Sequence, residues 1–193
     1  MRRTVLALAL LALVAAGCGN HPKVATENAT EGTAIADTEG IYLDVDQLKY
    51  QVQMSRYMNS NDIEDAEYLK GLPSSVAQPN GRDSWFGVWM RVQNVTDQPH
   101  AIADNWEIRD TQDNVYRPIP LDTNINVFAL NLHQQVAPNS VVPFPSTAAG
   151  QGPIQGSLLL FKIKNDSFQN RPLELRFTNG QQGGGTGIYD LDV

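Results

Sequence analysis

Trp85-Phe86-Gly87-Val88-Trp89-Met90-Arg91-Val92-Gln93 sets Phe86, Val88, Met90 and Val92 on one side of an extended chain and Trp89 and Arg91 on the other. Alternation of this kind marks a β-strand, and four large apolar residues on one side suit the centre of a sheet. The signal repeats in both directions. Upstream, Leu48, Tyr50, Val52 and Met54 share one face of the stretch from Leu48 to Met54. Downstream, Asn94 to Pro99 reads as a turn, and Ala101 to Arg109 carries Trp106 and Ile108 in phase, which predicts an antiparallel neighbour of the first strand. Val115 to Pro120 is a strand whose prolines lack ladder donors, so it belongs at an edge or ends early. Leu121 to Gln135 fits no single period and is expected to be mostly irregular, with Ile125, Phe128, Leu130 and Leu132 as anchors. Pro138-Asn139-Ser140 opens a strand through Phe144, Gly156 to Ile163 is apolar on both faces, and Leu173 to Phe177 alternates again. Asn165 to Asn170 is a loop, Gly180 to Gly187 is a glycine-rich run, and Ile188 to Val193 closes the chain.

One helix interrupts this pattern. Asn61-Asp62-Ile63-Glu64 matches a capping box ahead of Asp65 to Lys70, and Gly71 stands where the helix should stop. About seven short strands separated by Gly, Pro, Asn and Asp turns, with one short helix, predict an all-β, antiparallel β-sandwich, a closed barrel being the alternative. The length fits one such domain.

The amino terminus has a different character. Met1-Arg2-Arg3 precedes an apolar run from Thr4 to Ala16, too short to span a bilayer, and Gly17-Cys18 supplies a small-residue exit. This reads as a signal peptide. Ala15-Ala16-Gly17-Cys18 resembles the bacterial lipobox, in which the cysteine is acylated, although the residue three before the cysteine is Ala15 where Leu is usual. Cys18 is the single cysteine, so a disulfide framework is not expected, and lipidation is its predicted chemistry. A diacylated Cys18 would hold the chain at the membrane, each buried methylene adding about 0.8 kcal/mol. Gly19 to Gly40 is polar and aperiodic and reads as a disordered tether. The expected organisation is therefore a lipoprotein signal peptide at 1–17, a flexible tether at 18–40 and the sandwich at 41–193.

Loss of Arg2 and Arg3 takes the formal charge from −7 to −9. Nucleic acid is excluded as an expected partner, because phosphate neutralisation needs clustered Lys and Arg. An acidic chain does not dock flat on anionic lipid either.

A set of motifs carries a resemblance across most of Tyr50 to Phe177: Tyr50-x-Val52-x-x-Ser55-Arg56, Glu67-Tyr68, Phe86-Gly87-Val88-Trp89, Asp110-Thr111, Tyr116-x-Pro118, Leu159-Leu160-Phe161-Lys162 and Asn170-Arg171-Pro172-Leu173-Glu174-Leu175. Together they resemble an actinobacterial family of uncharacterised lipoproteins, related to extracellular proteins with an immunoglobulin-like sandwich. The resemblance implies an immunoglobulin-like fold and display outside the cytoplasm, and it brings no catalytic residues.

Candidate sites are few. His21, His100 and His133 have no spacing that converges on a metal. Met54, Met58, Met90 and His133 form a conceivable copper set, since thioethers select Cu(I), but gap filling in the core is the commoner role of methionine. Asp62, Glu64, Asp65 and Glu67 invite a calcium reading without the glycine-centred loop such a site needs. Gly183-Gly184-Gly185 lacks the lysine and helix of a phosphate cradle, and no Gly-x-Ser-x-Gly elbow occurs. Trp89 and Arg91, on the face opposite the apolar stripe, are the candidate partner-binding residues, with a covering loop as the alternative for Trp89. The expected function is a lipid-anchored, extracytoplasmic binding or interaction module of the cell envelope, without catalytic activity or cofactor, held at the membrane through Cys18. A copper- or calcium-binding lipoprotein is the alternative.

Overall fold

The computed structural model describes residues 32–180 and 183–191. In chain order the strands are β1 (Thr33–Ala36), β2 (Tyr42–Val45), β3 (Leu48–Met58), β4 (Asp83–Asn94), β5 (His100–Ala101), β6 (Asn105–Arg109), β7 (Val115–Tyr116), β8 (Gln135–Val136), β9 (Ser140–Val142), β10 (Ser157–Lys164), β11 (Leu173–Thr178) and β12 (Thr186–Leu191). Helices α1 (Ile63–Tyr68) and α2 (Ala148–Gln151) and a 3₁₀ turn at Asn165–Gln169 complete the set.

β4 is the longest strand and lies between β3 and β10 in a sheet of order β10-β4-β3-β2, with β9 joining the far end of β4. The second sheet has the order β1-β12-β11-β6-β7, and β5 and β8 form a small ribbon. The chain crosses between sheets from β4 to β6 and again from β10 to β11. β4 and β10 are thus neighbours in one sheet, and β6, β11 and β12 in the other. With two sheets packed face to face, the chain is an all-β sandwich.

Between the sheets, Tyr50, Val52, Phe86, Val88, Met90 and Val92 meet Trp106, Ile108, Leu175, Phe177 and Tyr189, all of them essentially inaccessible to solvent. Phe177 is the hub: Tyr50 and Trp106 lie at ring-centroid distances of 4.5 and 4.6 Å from it. Gly187 is required beside it, because a Cβ there would fall 2.1 Å from the Phe177 ring. Two buried phenols find polar partners: the Ala103 N–H donates to the Tyr50 hydroxyl at 2.9 Å, and the Tyr189 hydroxyl reaches the Tyr50 carbonyl at 2.6 Å. Burial pushes both phenols far above their ordinary pKa, so they remain neutral.

Four expectations need correction. The stretch after Asn94 does not pair with β4; β6 lies in the opposite sheet between β11 and β7. Trp106 and Ile108 are in phase as expected, but their apolar face closes over that of β4 from the opposite sheet. The turn is diverted by Asn94, fully buried, whose amide donates to the carbonyls of Gln98 and Val136 at 2.7 and 3.0 Å. Met54 is exposed and not inward, because a bulge between Val52 and Met54 shifts the register, and Ser55 takes the buried side. The folded domain begins at Thr33 and not at Ile41: β1 runs parallel to β12 with Ala34 and Ala36 buried, which removes Thr33 to Gly40 from the expected tether. Finally, the described residues form twelve strands rather than about seven, and two helices rather than one, because strands of two to four residues carry no readable period. Residues 1–17, Cys18 and the rest of the tether before Gly32 lie outside the described residues.

Candidate functional site

The face of β4 that carries the predicted partner-binding residues looks away from the sandwich core. Gly87, Trp89 and Arg91 alternate there with the inward Phe86, Val88, Met90 and Val92. The outer face of a sandwich is ordinarily wet. Here two segments, 59–82 containing α1 and 117–134, fold over part of it and create a second apolar cluster of Met58, Tyr68, Trp85, Trp89, Leu158 and Leu160.

The cover is fastened by specific bonds. Asp62 caps α1, accepting from Glu64 N and Asp65 N at 2.9 and 3.2 Å, one residue after the predicted cap. Gly71 ends the turn at φ +73, where a Cβ would meet the Asp122 carbonyl at 2.9 Å. Asp65 is buried and accepts from the Arg56 guanidinium at 2.6 Å and from Asn59 N at 2.7 Å. Burial opposes its charge, but these two donors outweigh it and hold its carboxyl below the usual range. The same guanidinium lies 5.2 Å from the Trp89 ring. Tyr68 packs its edge on Trp89 at 5.2 Å and on Phe128 at 4.8 Å, which joins the two covering segments. Asn126, 2% exposed, locks the join: its amide donates to the carbonyls of Tyr68 and Lys70 at 2.7 and 2.9 Å and accepts from Phe128 N at 3.0 Å. The outer edge of β10 is closed by the same segment through Ile119 N to Leu160 O, Leu130 N to Leu158 O and Leu158 N to Phe128 O.

Trp89 is therefore 0% exposed, and its expected role as an exposed contact is corrected: the covering-loop alternative holds. Its indole N–H has no hydrogen-bond partner, so packing alone fixes it. Arg91, two residues on, lies beyond the cover and is half-buried; among the described residues its guanidinium forms no ion pair. The two residues share a face of one strand but not an environment.

The methionines of the copper reading separate. Met90 is in the inner core, Met58 is under the cover, and Met54 is exposed on β3. The helix acids are engaged locally: Asp62 in the cap, Asp65 with Arg56, and Glu67 with Lys70 at 2.6 Å. Among the described residues no three His, Cys, Asp or Glu side chains gather as a metal-binding group. His133 borders an apolar cavity of about 200 Å³ between Pro118–Leu121, Ala129–Leu132 and Leu158, separate from the methionines.

One polar network joins residues whose proximity had no signature in the sequence. Asp110, 4% exposed, accepts from the amides of Asn114 and Asn170 and from Gln112 N and Asn114 N at 2.8 to 3.2 Å. Ser167 donates to it and lies 2.6 Å from the Tyr116 hydroxyl. Burial works against the Asp110 carboxylate, yet these hydrogen bonds prevail and hold its pKa down at about 2. Ser167 is 1% exposed, which removes it from contact with any substrate, and the network ties the β6–β7 turn to the 3₁₀ turn. Asp110-Thr111, Tyr116-x-Pro118 and Asn170-Arg171 each stood out as motifs, but nothing in the sequence joined them: Asn170 lies 60 residues from Asp110, and Ser167 lies 51 from Tyr116.

A second concavity, a groove of about 310 Å³, follows residues 140–144 and faces Val127 and Ala129. No known family matches the chain, and no curated protein does. Three solved structures are similar in fold. The yjhA protein from Bacillus subtilis aligns at a TM-score of 0.52 and 10% identity, covering 81% of this chain and 99% of its own. An uncharacterised β-sandwich protein from Clostridium difficile 630 aligns at 0.43 and 11% identity over 81% and 94% of the two chains. A conserved hypothetical protein from Bacillus anthracis aligns at 0.44 and 12% identity over 78% and 94%.

Proposed function

We propose that this chain is a lipid-anchored, extracytoplasmic and non-catalytic binding or interaction module of the cell envelope. The observation that carries the reading is Cys18, the single cysteine, placed directly after an apolar run and the small pair Ala16-Gly17. The resemblance to actinobacterial lipoproteins supports the same location. Asp65 and Asp110 are each held by several structural hydrogen bonds, and Ser167 is buried, so these three side chains are occupied within the fold. Arg91 remains the candidate partner contact of the original pair. Among the described residues no helix is long and apolar enough to cross a membrane, so the proposed attachment rests on the acyl group at Cys18.

The position of β1 shortens the link. Fourteen residues, 19–32, separate Cys18 from Thr33, for a contour of at most about 50 Å. Metabolic labelling with an alkyne palmitate, followed by membrane fractionation, tests the reading. Wild-type chain should be labelled and membrane-bound, and Cys18→Ser should be unlabelled and either unprocessed or released. A processed, membrane-retained Cys18→Ser chain, or an unlabelled wild type, would overturn it.

A further inference from the structure

β9 is a half-paired strand. Val92, Gln93 and Asn94 of β4 pair with Val142, Val141 and Ser140 on one side. On the other side, among the described residues, no β-bridge or loop hydrogen bond engages the backbone of residues 140–142. The neighbouring lane is taken alongside β10, where Ala129 bridges Leu158. Alongside β9 that lane is the groove of about 310 Å³, which follows residues 140–144 from end to end. An unpaired strand edge beside a concavity is a template for an added strand.

The flanks of the groove are apolar and rigid. Val127 and Phe144 line it and are 62% and 57% exposed. Phe144 does not sit on a loose loop: its carbonyl accepts from Thr147 N at 2.9 Å and Thr147 Oγ1 at 2.7 Å, and Gly150 packs so closely that a Cβ would lie 2.3 Å from that carbonyl. The charge pattern selects the occupant. None of the lining residues, Val127, Ala129, Asn131, Gln134, Gln135, Ala137 and the rest through Ser157, is ionisable, on a chain of net charge −7. An uncharged guest is the complement of such a groove, since a charged one would lose hydration without a counter-charge.

We infer that this groove is a partner-binding surface of the proposed binding module, separate from Arg91, and receives an uncharged, extended segment of a protein as an added strand on β9. Alternate apolar side chains of the segment rest on Val127 and Phe144, and its backbone pairs with the open edge. The inference rests on the binding-module reading but not on the lipid anchor.

The test uses the full chain purified in detergent and a fluorescent octapeptide alternating threonine and valine, with blocked ends. Anisotropy should show saturable binding. Phe144→Ser and Val127→Ser should each weaken it at least fivefold with unchanged thermal unfolding, both side chains being exposed. N-methylation of alternate peptide nitrogens on the pairing edge should weaken it more than tenfold, because it removes backbone donors and leaves the side chains. Replacing the threonines by glutamate should abolish it. Absence of saturable binding, indifference to both substitutions, or a Phe144-dependent self-association of the chain in place of peptide binding would each overturn the inference. Cys18→Ser should bind the peptide as wild type does, so failure of the anchor and failure of the groove give different results.

Discussion

Replacing Trp89 by alanine separates a packing role from a recognition role. The side chain is fully enclosed, with its ring directly over Gly87, where a Cβ would fall 2.6 Å from the indole, and Tyr68 and Arg56 close over it at 5.2 Å each. Emptying a buried Trp site costs about 3–5 kcal/mol. For a domain of this size that lowers the melting temperature on the order of 10 °C. Trp89→Phe should be far milder, about 1 kcal/mol, because the indole N–H has no partner to lose and a ring remains over Gly87. Urea unfolding followed by circular dichroism gives both values, and hydrogen exchange over 63–72 should show α1 loosening in the alanine variant only. An alanine variant within a few tenths of a kcal/mol of wild type would refute the enclosure. A Phe variant as damaging as the Ala variant would refute the claim that the N–H contributes nothing.

Asp110 should impose an acid limit on stability. Its pKa falls from 3.8 to about 2 on folding, so the folded chain favours the carboxylate. The stabilisation is complete above pH ~4 and lost as pH drops from there through 2, amounting to about 2 kcal/mol. Asp110→Asn should flatten this part of the stability profile measured by chemical denaturation, and an unchanged slope between pH 4 and 2 would contradict the assignment. Asn126→Ala removes three hydrogen bonds, one buried and two part-buried, at the join of the covering segments and should cost about 2–3 kcal/mol, with proteolysis appearing first within 59–82 or 117–134. A variant as protease-resistant as wild type would show that the join does not depend on Asn126.

The strongly alternating strands β4 and β11, the both-sides-apolar β10, and the start of α1 to within one residue were legible because their signals are local and long enough to count. What was not legible is how residues distant in sequence share a boundary. Thr33 to Ala36 is a strand only because Thr186 to Tyr189 lies beside it, and Thr-Ala-Ile-Ala alone offers no period longer than one turn. Met54 continued a clean alternation, and a single extra residue at the bulge reversed its side. Trp89 and Arg91 were equivalent by periodicity; the cover, fixed by Asn126 and by the Arg56–Asp65 ion pair, enclosed one and spared the other. The groove along β9 could not be read at all, because Val141 and Val142 look like an ordinary strand until the missing neighbour is seen.

The parallel ladder of β1 against β12 bears on how the domain answers force. The first strand is the one nearest Cys18 in sequence, so tension applied from that side along the strand axis would enter the described domain at Thr33. Pulled this way, the bonds from Thr33↔Thr186 to Ala36↔Tyr189 are strained together in shear and not peeled one after another, and Tyr189, held to the Tyr50 carbonyl, passes the load into the other sheet. In the anchored arrangement proposed above, the strand most easily overlooked in the sequence is thus the clamp through which that load would pass.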